Sequence, residues 1–120
     1  MTDRIDIIKL RLQKANGLLL EVDPLMKLEF YTTVINRLYY SCFHATTAFL
    51  LTKDIKAKTH KGVANMLHHH FVNVGEFEPS KAAFFGDLLK ERIRDDYNEF
   101  LIIEEEEIVE FIGPAFEYVE

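Results

Sequence analysis

One short stretch, residues 36–45, combines side chains that could bind an anion and move a proton. Arg37 and His44 are seven residues apart. That spacing is close to two turns of an α-helix, so both side chains should share one face, about 10 Å apart along the axis. Tyr40 and Ser41 lie between them on the same face. A guanidinium binds phosphate and an imidazole accepts a proton near neutral pH, so this combination on one helix face needs an explanation.

The helix that carries these residues also has the pattern of a core element. Apolar residues recur along it in alternating steps of four and three, at Tyr31, Ile35, Leu38, Cys42, Ala45 and Phe49. This spacing is typical of a helix that is buried along one side. On such a helix, the residues by themselves favour a structural pair, in which Arg37 and His44 satisfy partly buried polar groups. The alternative is a functional cleft.

The composition fits one ordinary folded domain that spans residues 1–120. Hydrophobic residues make up 48% of the chain and charged residues 28%, which are the fractions of a globular protein. The formal net charge of −6 argues against a broad nucleic-acid surface, because non-specific binding grows with the number of phosphates neutralised. A small basic cleft is compatible with this charge.

Cysteine usage and apolar runs bear on the compartment. Cys42 is the single cysteine, which excludes an internal disulfide and suits a reducing compartment. Its place on the apolar stripe favours a small buried side chain over a reactive thiol. Residues 1–6 lack the apolar region of a signal peptide. The apolar runs are far shorter than the roughly 20 residues of a membrane span, so we expect a cytoplasmic protein without membrane segments.

Helical spacing and end signals divide the chain into amphipathic segments. Thr2 or Asp3 can cap the first segment, whose expected buried stripe is Ile5, Ile8, Leu12, Ala15 and Leu19. The second is expected from near Pro24 to about Leu51, and the third from a Thr59 cap to Gly75. The fourth runs from Pro79 towards Tyr97, with a stripe of Phe84, Phe85, Leu88, Leu89 and Ile93. The last follows the glutamates 104–107, with a kink or split at Pro114.

No segment shows sustained strand-like alternation or a hairpin signal. We therefore predict an all-α fold, an up-and-down bundle of four to five antiparallel helices.

Further candidates for ligand contact lie on the third and fourth helices. His60 and Lys61 follow the Thr59 cap, where free backbone amides favour a phosphate, although capping alone explains Thr59. Arg94, Asp96 and Tyr97 could contact a ligand or clamp the fourth helix to the second. The consecutive histidines 68–70 point about 100° apart on a helix and cannot converge on one ion, so we predict no metal site.

With these elements placed, the sequence resembles the HEPN family of small helical domains. Three stretches carry the resemblance in order: Arg37–Ala45, Thr59–Val63 and Arg94–Tyr97. Together with their surroundings they cover about residues 8 to 118. The resemblance implies a bundle of four or five helices that is usually a homodimer.

The resemblance also implies an activity and a partner. Many HEPN proteins are metal-independent ribonucleases without a cofactor, and many are toxins encoded beside a minimal nucleotidyltransferase that acts as antitoxin. Their motif is an arginine and a histidine separated by four to six residues and paired across the dimer cleft. Arg37 and His44, with six residues between them, fit it. His44 would take the proton of the RNA 2′-hydroxyl, Arg37 would stabilise the phosphorane, and Tyr40 could contact a phosphate or stack on a base.

The same family comparison supplies an alternative. Toxin-type members often carry the arginine–histidine pair near the last helices, followed by a tyrosine. Here that region, residues 92–97, contains no histidine. The alternative is a non-catalytic module that binds nucleotide or RNA and regulates a nucleotidyltransferase partner. A third interpretation, a purely structural dimerisation domain, would have no need of the polar face around His44.

Overall fold

The structure, a computed structural model, describes residues 4–57, 59–97 and 105–119, and only the backbone of 94–97 and 105–107. Its elements are α1 (Arg4–Leu20), α2 (Val22–Lys27), α3 (Tyr31–Leu51), α4 (His60–Leu67), α5 (Pro79–Tyr97) and α6 (Glu105–Val119). A π-helical turn, His68–Val72, continues α4. Within the described ranges every regular element is helical, which confirms the predicted all-α bundle.

Helix α3 is the centre of the bundle, and all the other α-helices pack against it. Most of its buried residues come in neighbouring pairs: Val34 with Ile35, Leu38 with Tyr39, Ser41 with Cys42, and Leu50 with Leu51. Neighbouring residues on a helix point about 100° apart, so these pairs give α3 more than one covered side. Burial of Cys42 also raises the pKa of its thiol to about 12, as expected for a packed side chain rather than a reactive one.

Helices α1 and α3 run antiparallel at close range. The Ser41 hydroxyl donates a hydrogen bond of 2.7 Å to the carbonyl oxygen of Ala15, and both residues are fully buried. The side chains on either side pair in the reverse order, with Arg11 at His44 and Glu21 at Arg37. Ala15 and Ser41 are small, so they let the two helix backbones approach closely. Side chains of α1 therefore lie next to the face of α3 that carries His44.

The predicted second helix is wrong in one respect, because it is broken into α2 and α3 between residues 28 and 30. Glu29 adopts a φ of 60° at the break. The amide of Phe30 donates to the carbonyl of Leu25, a bond that wraps the end of α2. Pro24 lies in the first turn of α2, where its missing N–H removes no helical hydrogen bond.

The predicted starts of the third and fourth helices, and the predicted turn at Gly75 between them, agree with the structure. The Thr59 hydroxyl accepts a hydrogen bond of 2.9 Å from the Gly62 amide, so Thr59 caps α4. A Cβ on Gly62 would lie 2.8 Å from that hydroxyl oxygen, which explains the glycine. Gly75, with a φ of 78°, follows the π-helical turn, and α5 begins at Pro79.

The apolar stripes are covered unevenly. In α1, Ala15 and Leu19 are buried, but Leu12 is 38% and Ile5 is 59% exposed, which corrects the predicted stripe. Ile8 and Leu12 line a groove of about 260 Å³ together with residues of α3 and α6, so this part of the α1 stripe is only partly covered. Ile93, predicted to be buried in α5, is 42% exposed.

Helix α6 continues through Pro114, so the predicted split does not occur. Ile108 and Ala115, one on each side of the proline, are fully buried and hold both halves in the core. The predicted caps Thr2 and Asp3, and Glu104 of the acidic run, lie outside the described residues. No described helix is long and apolar enough to cross a membrane. The histidines 68–70 belong to no group of three metal-ligating residues in the described part of the chain.

Candidate functional site

His44 projects from α3 towards α1, where it meets a cation. A hydrogen bond of 2.9 Å joins its Nδ1 to the Arg11 guanidinium. A guanidinium can only donate, so Nδ1 must accept, and the neutral imidazole then carries its proton on Nε2. Burial lowers the pKa of His44, and the positive charges of Arg11 and Lys14 lower it further. His44 is therefore a neutral imidazole at neutral pH, as a general base must be.

Arg37 lies two turns earlier on α3 and is engaged by different partners. Its Nε donates to the Glu21 carboxylate at 3.2 Å, and one terminal nitrogen donates to the Asn36 side-chain oxygen at 2.8 Å. The Arg37 side chain is 33% exposed, and an ion pair at such a site contributes about 1 kcal/mol or less. The predicted pair thus shares the side of α3 that faces α1, but each member is held by its own neighbour.

Tyr40 lies between Arg37 and His44 on α3 and connects α3 to α5. Its ring centroid is 6.4 Å from that of His44. Its hydroxyl accepts a hydrogen bond of 3.0 Å from Arg92 on α5. The Arg92 guanidinium also lies 5.0 Å from the Tyr39 ring centroid and 5.4 Å from that of Tyr40. Arg92 therefore supplies a cation held against two aromatic faces, an arrangement that stabilises its position.

His60, the first residue of α4, adjoins this group through Tyr39. A hydrogen bond of 2.7 Å joins the Tyr39 hydroxyl and His60 Nδ1. Burial raises the pKa of Tyr39, so the phenol keeps its proton. Burial and the charge of Arg92 lower the pKa of His60. The Phe43 ring lies 4.7 Å from the His60 ring, so an aromatic surface flanks this second neutral imidazole.

These contacts place five side chains from four helices in one continuous group, which we call the polar row: Arg11, Tyr40, His44, His60 and Arg92. It holds two cations, two neutral imidazoles and a phenol. Such a set can bind a phosphate, stack a base and accept a proton.

Four further predicted site residues lie on α4 and α5. Lys61 is exposed, next to His60 on α4. Arg94, Asp96 and Tyr97 belong to the last turns of α5, and their side chains lie outside what the structure describes.

The sequence interpretation missed Arg11 and Arg92. The sequence does contain a signal for Arg92, because Arg92 continues the buried series Phe85, Leu88 and Leu89 at helical spacing. The predicted stripe continues to its neighbour Ile93 instead. Arg11 gave no comparable signal, since its role depends on the register between α1 and α3.

The lowered histidine pKa values predict that stability depends on pH. Both folded-state pKa values lie below the 6.5 of an ordinary imidazole, so the unfolded chain binds more protons below that pH. Above about pH 6.5 the two histidines should not lower the free energy of unfolding. As the pH falls from about 6.5 through their folded-state pKa values, the free energy of unfolding should decrease. The groups that face the two imidazoles are Arg11 and Lys14 from α1, Arg92 from α5, and Tyr39 and Tyr40 on α3.

Urea midpoints measured between about pH 5.5 and 7.5 test this prediction. His44→Gln and His60→Gln should each flatten the slope, because glutamine keeps a hydrogen-bonding side chain but does not titrate. His69→Gln, at an exposed position, is the matched control and should leave the slope unchanged. A slope that is equal in all four proteins would contradict the prediction.

Comparison with known proteins gives matches across nearly the whole chain. The family model of the HEPN domain matches residues 8–119. A UPF0332 protein of Thermotoga maritima is 29% identical over 115 residues, covering 96% of this chain and 87% of that protein. A protein of Methanocaldococcus jannaschii named "Putative toxin" is 31% identical over 112 residues, 87% of this chain and 76% of its own. The family match includes every residue of the polar row.

Proposed function

The chain belongs to the HEPN domain family, and from this premise we propose that it is a toxin-like endoribonuclease that cleaves RNA without a metal ion. The observation that supports the proposal most directly is the neutral imidazole of His44 on the same side of α3 as the Arg37 guanidinium. A base and a cation at one position are what transesterification of RNA requires. The name of the Methanocaldococcus jannaschii relative supports the toxin part of the proposal.

In the proposed reaction, the 2′-hydroxyl of RNA gives its proton to the imidazole of His44. The 2′-oxygen then forms a bond to the adjacent phosphorus, and the bond from phosphorus to the 5′-oxygen breaks. The leaving 5′-oxygen takes up a proton from water, and His44 returns its proton to the solvent, which leaves a 2′,3′-cyclic phosphate and a 5′-hydroxyl. Arg37 stabilises the negative charge of the pentacovalent phosphorane, and Tyr40 with Arg92 contacts a neighbouring phosphate or base.

We further propose a cytoplasmic homodimer whose toxicity is controlled by a minimal nucleotidyltransferase. Ile5 and Leu12, which are seven residues apart on one face of α1 and are both exposed, offer an apolar surface that a second copy would cover. A dimer would bring the Arg37 and His44 residues of two chains to one cleft.

Cleavage of a mixed single-stranded RNA pool in excess chelator tests the proposed activity. We expect the wild-type protein to yield fragments with cyclic-phosphate ends, and Arg37→Ala to lower the rate by about 100-fold or more, because it removes charge stabilisation in the transition state. Lys27→Ala, which removes another exposed, ion-paired cation near the start of α3, is the matched control. An inert wild-type protein, or cleavage that depends on added metal, would contradict the proposal.

A non-catalytic RNA- or nucleotide-binding module is the second candidate. The observation in its favour is that Arg37 is held by Glu21 and Asn36, while Arg11 occupies the basic nitrogen of His44. Binding of the RNA pool without any cleavage would favour this function over the ribonuclease.

A further inference from the structure

We propose that Arg11 is a latch on the catalytic base: it holds the Nδ1 lone pair of His44 in the free protein and releases it by turning to a substrate phosphate. The inference rests on the proposed ribonuclease, whose base is His44. It assigns Arg11 the role of a positioning residue that couples phosphate binding to activation of the base.

The first argument is the geometry of the hydrogen bond. Arg11 donates to Nδ1 at 2.9 Å, and both side chains are half-buried between α1 and α3. A neutral imidazole has one basic nitrogen, and here it is the nitrogen that Arg11 occupies. While this bond is made, His44 offers only its Nε2 proton and cannot accept the proton of a 2′-hydroxyl.

The second argument is the charge around Arg11. Among the described residues no ion pair joins Arg11 to a carboxylate, whereas Arg37 is paired with Glu21. Lys14 adds a second positive charge to the same part of α1. A half-buried guanidinium whose partner is a neutral imidazole should bind a phosphate in preference, because the phosphate adds the attraction of an opposite charge and can accept two parallel hydrogen bonds from the guanidinium.

Both arguments give a sequence of events. The phosphate next to the scissile bond binds Arg11, which frees the Nδ1 lone pair of His44. Burial is the main cause of the lowered pKa of His44, and the charges of Arg11 and Lys14 add to it. The phosphate offsets these charges, so the imidazole becomes a better proton acceptor at neutral pH. The 2′-hydroxyl proton then passes to Nδ1, and the base acts only when substrate is bound.

Nitrogen-15 NMR of the His44 imidazole tests the latch, because the two-bond couplings identify the protonated nitrogen. The probe is a short 2′-O-methyl RNA, which carries phosphates but no attacking hydroxyl and therefore stays intact. In the free wild-type protein we expect the tautomer protonated on Nε2. Saturation with the probe should shift the Nδ1 resonance and raise the pKa of His44.

Two variants separate the hydrogen bond from the charge. Arg11→Met should give a mixture of tautomers, a raised His44 pKa in the free protein, and no further Nδ1 shift with the probe. Lys14→Met removes a nearby charge but not the bond, so it should raise the pKa while keeping the tautomer and the probe response.

Several results would overturn the latch: His44 protonated on Nδ1 in the free wild-type protein, no binding of the probe, or an unmoved Nδ1 resonance at saturation. Its failure is distinguishable from that of the proposed function. RNA cleavage with an unmoved Nδ1 would contradict the latch alone. A protein that does not cleave RNA, but whose His44 Nδ1 resonance still shifts with the probe, would contradict the ribonuclease. It would still support the movement of Arg11 from the imidazole to a phosphate.

Discussion

Replacing His44 with alanine is expected to lower the rate of RNA cleavage by about 100-fold to 10,000-fold, the usual contribution of a general base. The free energy of unfolding should fall by about 1 kcal/mol or less, because the side chain is half-buried and makes one hydrogen bond to another side chain. The measurement is single-turnover cleavage of a labelled RNA in chelator, together with urea denaturation of the same preparation.

A matched control is available in His69→Ala, which removes an exposed imidazole from the π-helical turn. It should retain the wild-type rate. If His44→Ala instead kept its activity and lost several kcal/mol of stability, His44 would be a structural residue and the assignment of the base would be wrong. If both variants cleaved at the wild-type rate with unchanged stability, the base would have to be sought elsewhere, with His60 as the next candidate.

The elements that sequence reasoning identified correctly are those whose ends carry local signals. Thr59 caps α4 through its own hydroxyl, and Pro79 begins α5 because a proline is favoured in a first helical turn. The break between α2 and α3 had no such signal. Its turn places Glu29 at a positive φ, where a glycine or asparagine would have marked the end of a helix. The uninterrupted apolar pattern therefore predicted one long helix.

The candidate site was predictable only along a single helix. The spacing of Arg37, Tyr40 and His44 on α3 could be calculated from the geometry of a helix, and the structure keeps these residues on the side facing its neighbours. Their partners could not be found in this way. Arg11 and Arg92 reach the row from other helices, so their positions depend on packing between helices.

Charge is distributed in a way that the net value of −6 conceals. Helix α1 carries Arg4, Lys9, Arg11 and Lys14 against the single acidic residue Asp6. This helix lies against α3 at His44, so the most basic part of the fold adjoins the candidate base. An acidic protein can therefore still present a local basic surface to one or two phosphates, which is what cleavage of a single bond requires.

The largest effect on stability is expected from Phe85→Ala, with a loss of about 3–5 kcal/mol. Phe85 is fully buried between two tyrosines, with its ring centroid 5.8 Å from that of Tyr39 at an interplanar angle of 7°, and 5.8 Å from that of Tyr118 at 21°. Alanine would leave a cavity at the junction of α3, α5 and α6. The loss is a large fraction of the roughly 5–15 kcal/mol that stabilises a domain of this kind.

Urea denaturation of Phe85→Ala and Phe85→Leu, with Phe116→Ala as the matched control, measures this effect. Phe116 is 42% exposed, so its truncation leaves no buried cavity and should cost much less than truncation of Phe85. Leucine refills most of the space and should restore most of the stability.

Because Tyr39 also holds His60, the alanine variant should loosen the end of the polar row and raise the pKa of His60 as water enters. Equal losses in the two alanine variants would show that the aromatic stack is not the support of the site.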